Sequence, residues 1–198
     1  MYSGKIFCIG FQKTGTSSMG RALEALGYRV CGAVGLKEND LEGRIRDIAF
    51  SRVPEFDGFQ DNPWPILYRE LDERYPGSRF ILTRRNPDAW IGSVVRHFGT
   101  APRPMLEWIY GVAFPVGNEA VFLERYERHN REVLDYFSGR PGDLLIVDIE
   151  SGDHWPSVSQ FLNASAPETS FPHANKGGLW RTGRRLKRTL LRQYRRLF

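Results

Sequence analysis

Short apolar runs alternate along the chain with longer stretches in which apolar residues return every three or four positions. The first run, Ile6-Phe7-Cys8-Ile9, stops at Gly10 and predicts a buried strand over 5–10. Residues 17–26 carry helical spacing at Met19, Leu23 and Leu26 and end at Gly27, a favoured helix stop. A second strand is predicted at 28–31, then a helix at 38–51 with Leu41, Ile45, Ile48 and Ala49 on one face. A weaker strand at 56–60 precedes Asp61-Asn62-Pro63, and a helix at 65–75 ends before Pro76-Gly77. A strand at 79–83 leads to a helix at 87–98 with Pro87 in its first turn, where proline lacks no needed donor. Residues 99–116, rich in glycine, proline and aromatics, read as irregular chain around a short helix at 105–112. A long amphipathic helix at 118–137, a strand at 144–148, a short helix at 155–163 and a basic helix from about 181 complete the pattern. Strands alternating with helices predict an α/β fold of three layers, a mostly parallel sheet with helices on both faces.

Composition narrows the class. The 198 residues are 41% hydrophobic and 26% charged, which suits one globular domain and excludes a disordered or fibrous chain. Two cysteines, Cys8 and Cys31, make no disulfide framework, and Cys8 inside an apolar run suits a reducing, cytoplasmic setting. No stretch approaches the roughly 20 apolar residues of a membrane span, and the first apolar run is too short for a secretion signal. The net charge of +5 is uneven: nine basic residues and no acidic ones follow Glu168, so the first 168 residues hold 19 basic against 23 acidic groups. A mildly acidic body does not suggest a nucleic-acid partner, whereas the tail makes an anionic membrane surface a candidate partner.

The strongest chemical signal is Gly10-Phe11-Gln12-Lys13-Thr14-Gly15-Thr16-Ser17-Ser18, between a buried strand and a helix. In that setting backbone N–H groups converge and the helix dipole adds positive potential, which makes a phosphate cradle. A turn built only to cap the helix has no need of a lysine. The triphosphatase pattern places Lys-Ser/Thr directly after its second glycine, whereas here Thr16 and Ser17 follow Gly15 and the lysine stands earlier, at Lys13. That displacement weighs against a nucleotide kinase, the enzymatic rival.

Gly10-x-x-Lys13-Thr14-Gly15-Thr16-Ser17 resembles the 5′-phosphosulfate loop of sulfotransferases that use 3′-phosphoadenosine-5′-phosphosulfate. The family's second signature, strand-Arg-(Asp/Asn)-Pro with a serine eight residues after the arginine, is matched by Arg85-Asn86-Pro87 and Ser93. Asp61-x-Pro63, Tyr75-Pro76, Trp90, and 171–177 with Lys176-Gly177 resemble the compact branch of that family. The resemblance implies a phosphate-loop nucleotide-hydrolase-like fold, a sulfotransferase domain over 1–178 and a basic amphipathic C-terminal helix over 179–198, either part of that domain or an appendage. It implies transfer of a sulfuryl group to an acceptor, most simply a hydroxyl, without a metal. Donor binding would fall to Gln12, Lys13, Thr14, Gly15, Thr16, Ser17, Ser18, Arg85, Ser93, Lys176 and Gly177. Arginine suits a phosphate because its planar fork gives two parallel bonds.

Sulfuryl transfer resembles phosphoryl transfer, so positioning and charge stabilisation should dominate. Lys13 is the cation for the leaving oxygen. Asp61 is either the general base at a strand end or a cap of the next helix. His97 reads as a surface or packing residue, and His129, in a Tyr-x-x-His pattern, as structural or acceptor-side. Trp64, Trp108, Tyr110 and Phe114 read as core or as an acceptor pocket. The non-enzymatic rival is a nucleotide-binding or membrane-surface protein of the same fold that has lost turnover.

Overall fold

The computed structural model describes residues 2–148, 150 and 152–174. Five strands, β1 (Ile6–Cys8), β2 (Val30–Cys31), β3 (Gly58–Phe59), β4 (Arg79–Arg84) and β5 (Leu144–Asp148), form one sheet in the order β2-β3-β1-β4-β5. Every pairing is parallel, and β1 lies at the centre: Ile6 pairs with Gly58 on one side and Arg79 on the other. Seven α-helices surround the sheet among the described residues: α1 (Thr16–Ala25), α2 (Leu41–Arg52), α3 (Tyr68–Arg74), α4 (Pro87–Phe98), α5 (Pro104–Tyr110), α6 (Glu119–Phe137) and α7 (Trp155–Leu162). The three-layer α/β architecture expected from the sequence is the one observed.

The period of two along β1 and β4 divides the core. Phe7, Ile9, Phe80 and Leu82 point to one face and pack with Ala49 of α2, Leu71 of α3 and Val133 and Phe137 of α6. Ile6, Cys8 and Ile81 point to the other and pack with Met19 and Leu23 of α1 and Trp155 and Val158 of α7. A third cluster sits beyond the C-terminal ends of the strands, where Phe11 meets α2, α4, α5 and α6. Both cysteines are buried with free thiols, and burial pushes the Cys8 thiol upward. In open α/β sheets the strand ends are where ligands bind, and the third cluster forms the floor of that region.

Most boundaries shift by one to three residues from the sequence reading, α2 for instance beginning at Leu41 and not at 38, and two of the shifts lie beside the strand end that carries Asp61. The helix expected from residue 65 begins at Tyr68, because residues 61–67 run through successive tight turns, with Trp64 N–H bonded to Asp61 C=O and Ile66 N–H to Pro63 C=O. The strand expected over 56–60 is only Gly58–Phe59; its neighbours still bond to β1 and β2, Ile6 N–H to Asp57 C=O and Gln60 N–H to Cys31 C=O. The expected C-terminal helix and the boundary at residue 178 lie outside the described residues.

Candidate active site

The phosphate loop leaves β1 at a point of close approach. A Cβ at Gly10 would collide with the hydroxyl and carbonyl oxygens of Thr83 on β4, so only glycine fits. Thr14 then folds back: its N–H and its hydroxyl both donate to the Phe11 carbonyl, at 3.2 and 2.6 Å, and its Oγ1 lies 2.7 Å from the Thr83 hydroxyl. Lys13 (φ 71°) and Gly15 (φ 99°) adopt left-handed backbone, which turns the chain sharply into α1. Ser18 and Met19 N–H groups bond to the Gly15 carbonyl, while those of Thr16 and Ser17 precede any intrahelical acceptor. These two donors and the positive end of the helix dipole suit an anion.

At two of the expected phosphate ligands the side chain turns inward. The Thr14 hydroxyl is fully buried and spent on Phe11 and Thr83, so it holds the loop to β4 instead of facing a ligand. The Gln12 amide also points inward: Nε2 donates to the Tyr110 hydroxyl at 2.6 Å and Oε1 accepts from Asn62 Nδ2 at 3.3 Å. Thr16 is buried and Ser17 half-buried at the helix start. The Ser18 hydroxyl accepts from the Ala174 N–H at 3.0 Å, which brings the chain just before Lys176 and Gly177 to the phosphate loop. Lys176 and Gly177 themselves lie outside the described residues.

Asp61 follows β3, beside the end of β1, with left-handed backbone (φ 70°). Its carboxylate accepts from the Asn62 N–H at 2.8 Å. Burial pushes its pKa above the ordinary aspartate value, while that N–H and the Lys13 charge pull it back. The capping alternative fails, because α3 starts seven residues later with Leu67 as its N-cap and no side-chain bond there. Asp61 is a half-buried carboxylate within electrostatic reach of Lys13.

The second motif sits at the next strand end. Pairing of β4 with β5 ends at Arg84 opposite Asp148, and Arg85 leaves the ladder with both peptide groups in need of partners. The Tyr126 hydroxyl of α6 supplies them, accepting from Arg85 N–H at 2.9 Å and donating to Arg85 C=O at 2.8 Å. Asn86 caps α4 by accepting from the N–H groups of Asp88 and Ala89, and Ser93 lies half-buried further along α4. The Arg85 guanidinium donates from Nε to Glu150 at 3.0 Å and faces an open cleft of about 800 Å³, lined also by Arg84, Asn130 and Arg131.

The remaining candidates separate cleanly. His129 is buried against the underside of the loop: its Nε2 lies 2.7 Å from the Ile9 carbonyl and its ring stacks on Phe11 at 4.3 Å. Burial brings its pKa down to about 3, so it is neutral and its Nε2–H is the donor. This is the structural member of its two expected roles. His97 is exposed. Trp64 and Tyr110 are core, Trp64 donating to the Gly32 carbonyl at 3.0 Å. Trp108 donates to Glu42 at 2.9 Å, and Phe114 is half-buried. Sequence reasoning missed Tyr126, Thr83 and Glu150; only Tyr126 left a trace, as the first residue of the Tyr-x-x-His pattern. Among the described residues no group of three or more His, Cys, Asp or Glu side chains could hold a metal ion, and no helix is long and apolar enough to cross a membrane.

A family model described as a sulfotransferase domain matches residues 5–115 and 95–180. The chain is also similar to Ava biosynthesis cluster protein M of Aspergillus versicolor, with 23% identity over an alignment covering 85% of this chain and 80% of that protein.

Proposed function

The chain belongs to the sulfotransferase domain family, and from that premise we propose that it transfers a sulfuryl group from 3′-phosphoadenosine-5′-phosphosulfate to an acceptor hydroxyl. The observation that carries the reading is the arrangement at the strand ends. Residues 13–17 follow β1, Arg85 follows the neighbouring β4 and Asp61 follows β3, so three adjacent strands carry an anion-binding loop, a cation and a carboxylate at their C-terminal ends. The two phosphates of the donor call for two separated anion sites, and the uncapped N-terminus of α1 with Lys13 fits the 5′ end. Arg85 and Ser93 suit the 3′-phosphate. Lys176 and Gly177 complete the proposed donor-binding set, and the bond that holds Ala174 to Ser18 supports their inclusion.

In the reaction Asp61 takes the proton from the acceptor hydroxyl as its oxygen bonds to sulfur. Lys13 stands at the oxygen that keeps the electron pair when the bond from sulfur to the 5′-phosphate breaks, and lowers the cost of the charge gathering there. The N–H groups of Thr16 and Ser17 hold the phosphate end throughout, so that the attack stays in line. The test is binding of adenosine 3′,5′-bisphosphate, the product. It should raise the melting temperature without magnesium and bind more tightly than adenosine 5′-monophosphate. Equal binding of the two nucleotides would remove the 3′-phosphate site and the reading with it.

A further inference from the structure

One helix holds both phosphate motifs. Tyr126 and His129 stand three residues apart on α6, hence on one face, and each is only 1% exposed. His129 donates to Ile9, the last residue before the phosphate loop, and Tyr126 bridges the N–H and C=O of Arg85. A third link closes the triangle. The Trp90 ring of α4 stacks on Tyr126 at 4.2 Å, and its Nε1–H donates to the Gln12 carbonyl at 2.9 Å. The backbone of the first motif is thus tied to the helix of the second, and both are tied to α6.

We infer that Tyr126 and Trp90 are positioning residues that set the spacing between the α1 N-terminus and Arg85, and so make the site selective for a nucleotide phosphorylated at both its 3′ and 5′ positions. The inference rests on the proposed donor site. A ligand with two anionic groups gains from the second contact only if the two sites are held at its own span. A ligand with one phosphate, seated on the loop, has no stake in that distance. Neither Tyr126 nor Trp90 needs to touch the ligand; each acts through the backbone it holds. Removing the Tyr126 hydroxyl unties Arg85 and leaves the ring stacked on Trp90. Replacing Trp90 by phenylalanine keeps a ring against Tyr126 and cuts the bond to Gln12.

The experiment is calorimetric titration of wild type, Tyr126→Phe and Trp90→Phe with adenosine 3′,5′-bisphosphate and adenosine 5′-monophosphate. Loss of the hydroxyl bridge should weaken the bisphosphate about tenfold and leave the monophosphate within about twofold, the scale of one or two hydrogen bonds. Trp90→Phe should shift the same ratio in the same direction, and it carries the test alone if Tyr126→Phe does not fold. A fall in both affinities together would mean a merely structural role and overturn the inference, as would an unchanged ratio in both variants. Wild type that binds the two nucleotides equally would instead defeat the donor assignment, an outcome read before any variant is compared.

Discussion

At the scale of single residues, the proposed reaction divides its chemistry between Asp61 and Lys13. Asp61→Asn keeps an oxygen that can accept from the Asn62 N–H, so the turn should survive while the base is lost. We expect kcat to fall about 10²- to 10⁴-fold with binding of the bisphosphate product unchanged; wild-type turnover would return Asp61 to a structural role. Because burial raises its pKa and a base must be ionised, the acid limb of the wild-type pH–rate profile should lie above that of an ordinary aspartate. Lys13→Ala should lower kcat, since its charge is matched to one developing in the transition state, whereas Arg85→Ala should mainly raise the Michaelis constant for the donor. The spacing of glycines, lysine and hydroxyls revealed the loop, but not which way its side chains turn. Gln12 and Thr14 match a phosphate motif as well as Ser17 does, and among the partners that draw them inward are Tyr110 and Thr83, 98 and 69 residues away.

At the scale of elements, β1 and α6 carry the site. Gly10 lets β1 pass against β4, and Gly10→Ala should cost about 1–3 kcal/mol in chemical denaturation because the Thr83 backbone has no room to yield. His129 gives α6 a pH signature. The folded ring stays neutral down to about pH 3, while an unfolded histidine takes up a proton below about 6.5. The unfolded state therefore gains protons first, and stability should fall as pH drops from about 6.5 towards 3. His129→Asn should show a shallower fall over that range, measured by urea midpoints. Most elements were legible from periodicity because each buries one face: α4 and β5 have the bounds their patterns predicted. The start of α3 was not, since Pro63 and Pro65 suit a first helical turn as readily as the tight turns that are present. The sequence of residues 179–198, with eight basic residues and no acidic one, adds an expectation of its own: full-length protein should co-sediment with anionic vesicles at low salt, and a version ending at Gly178 should not.

For the whole molecule, a ligand that bridges two strand ends should stabilise the fold as a unit. At about 100 times its dissociation constant, adenosine 3′,5′-bisphosphate should add about 2.7 kcal/mol without magnesium, read as a higher melting temperature. The central place of β1 has a further consequence, in the time the chain takes to be made. The phosphate loop leaves the ribosome ahead of the strands on either side of β1, which end at Phe59 and Arg84. Its floor waits for His129, and the amide that binds Ser18 lies 156 residues downstream. At roughly 5–20 residues per second that interval lasts on the order of ten seconds or more. Until β3 and β4 have emerged, the apolar segment Ile6-Phe7-Cys8-Ile9 has two open edges and no sheet to join, so β1 is the natural target for a chaperone that reads extended apolar chain during synthesis.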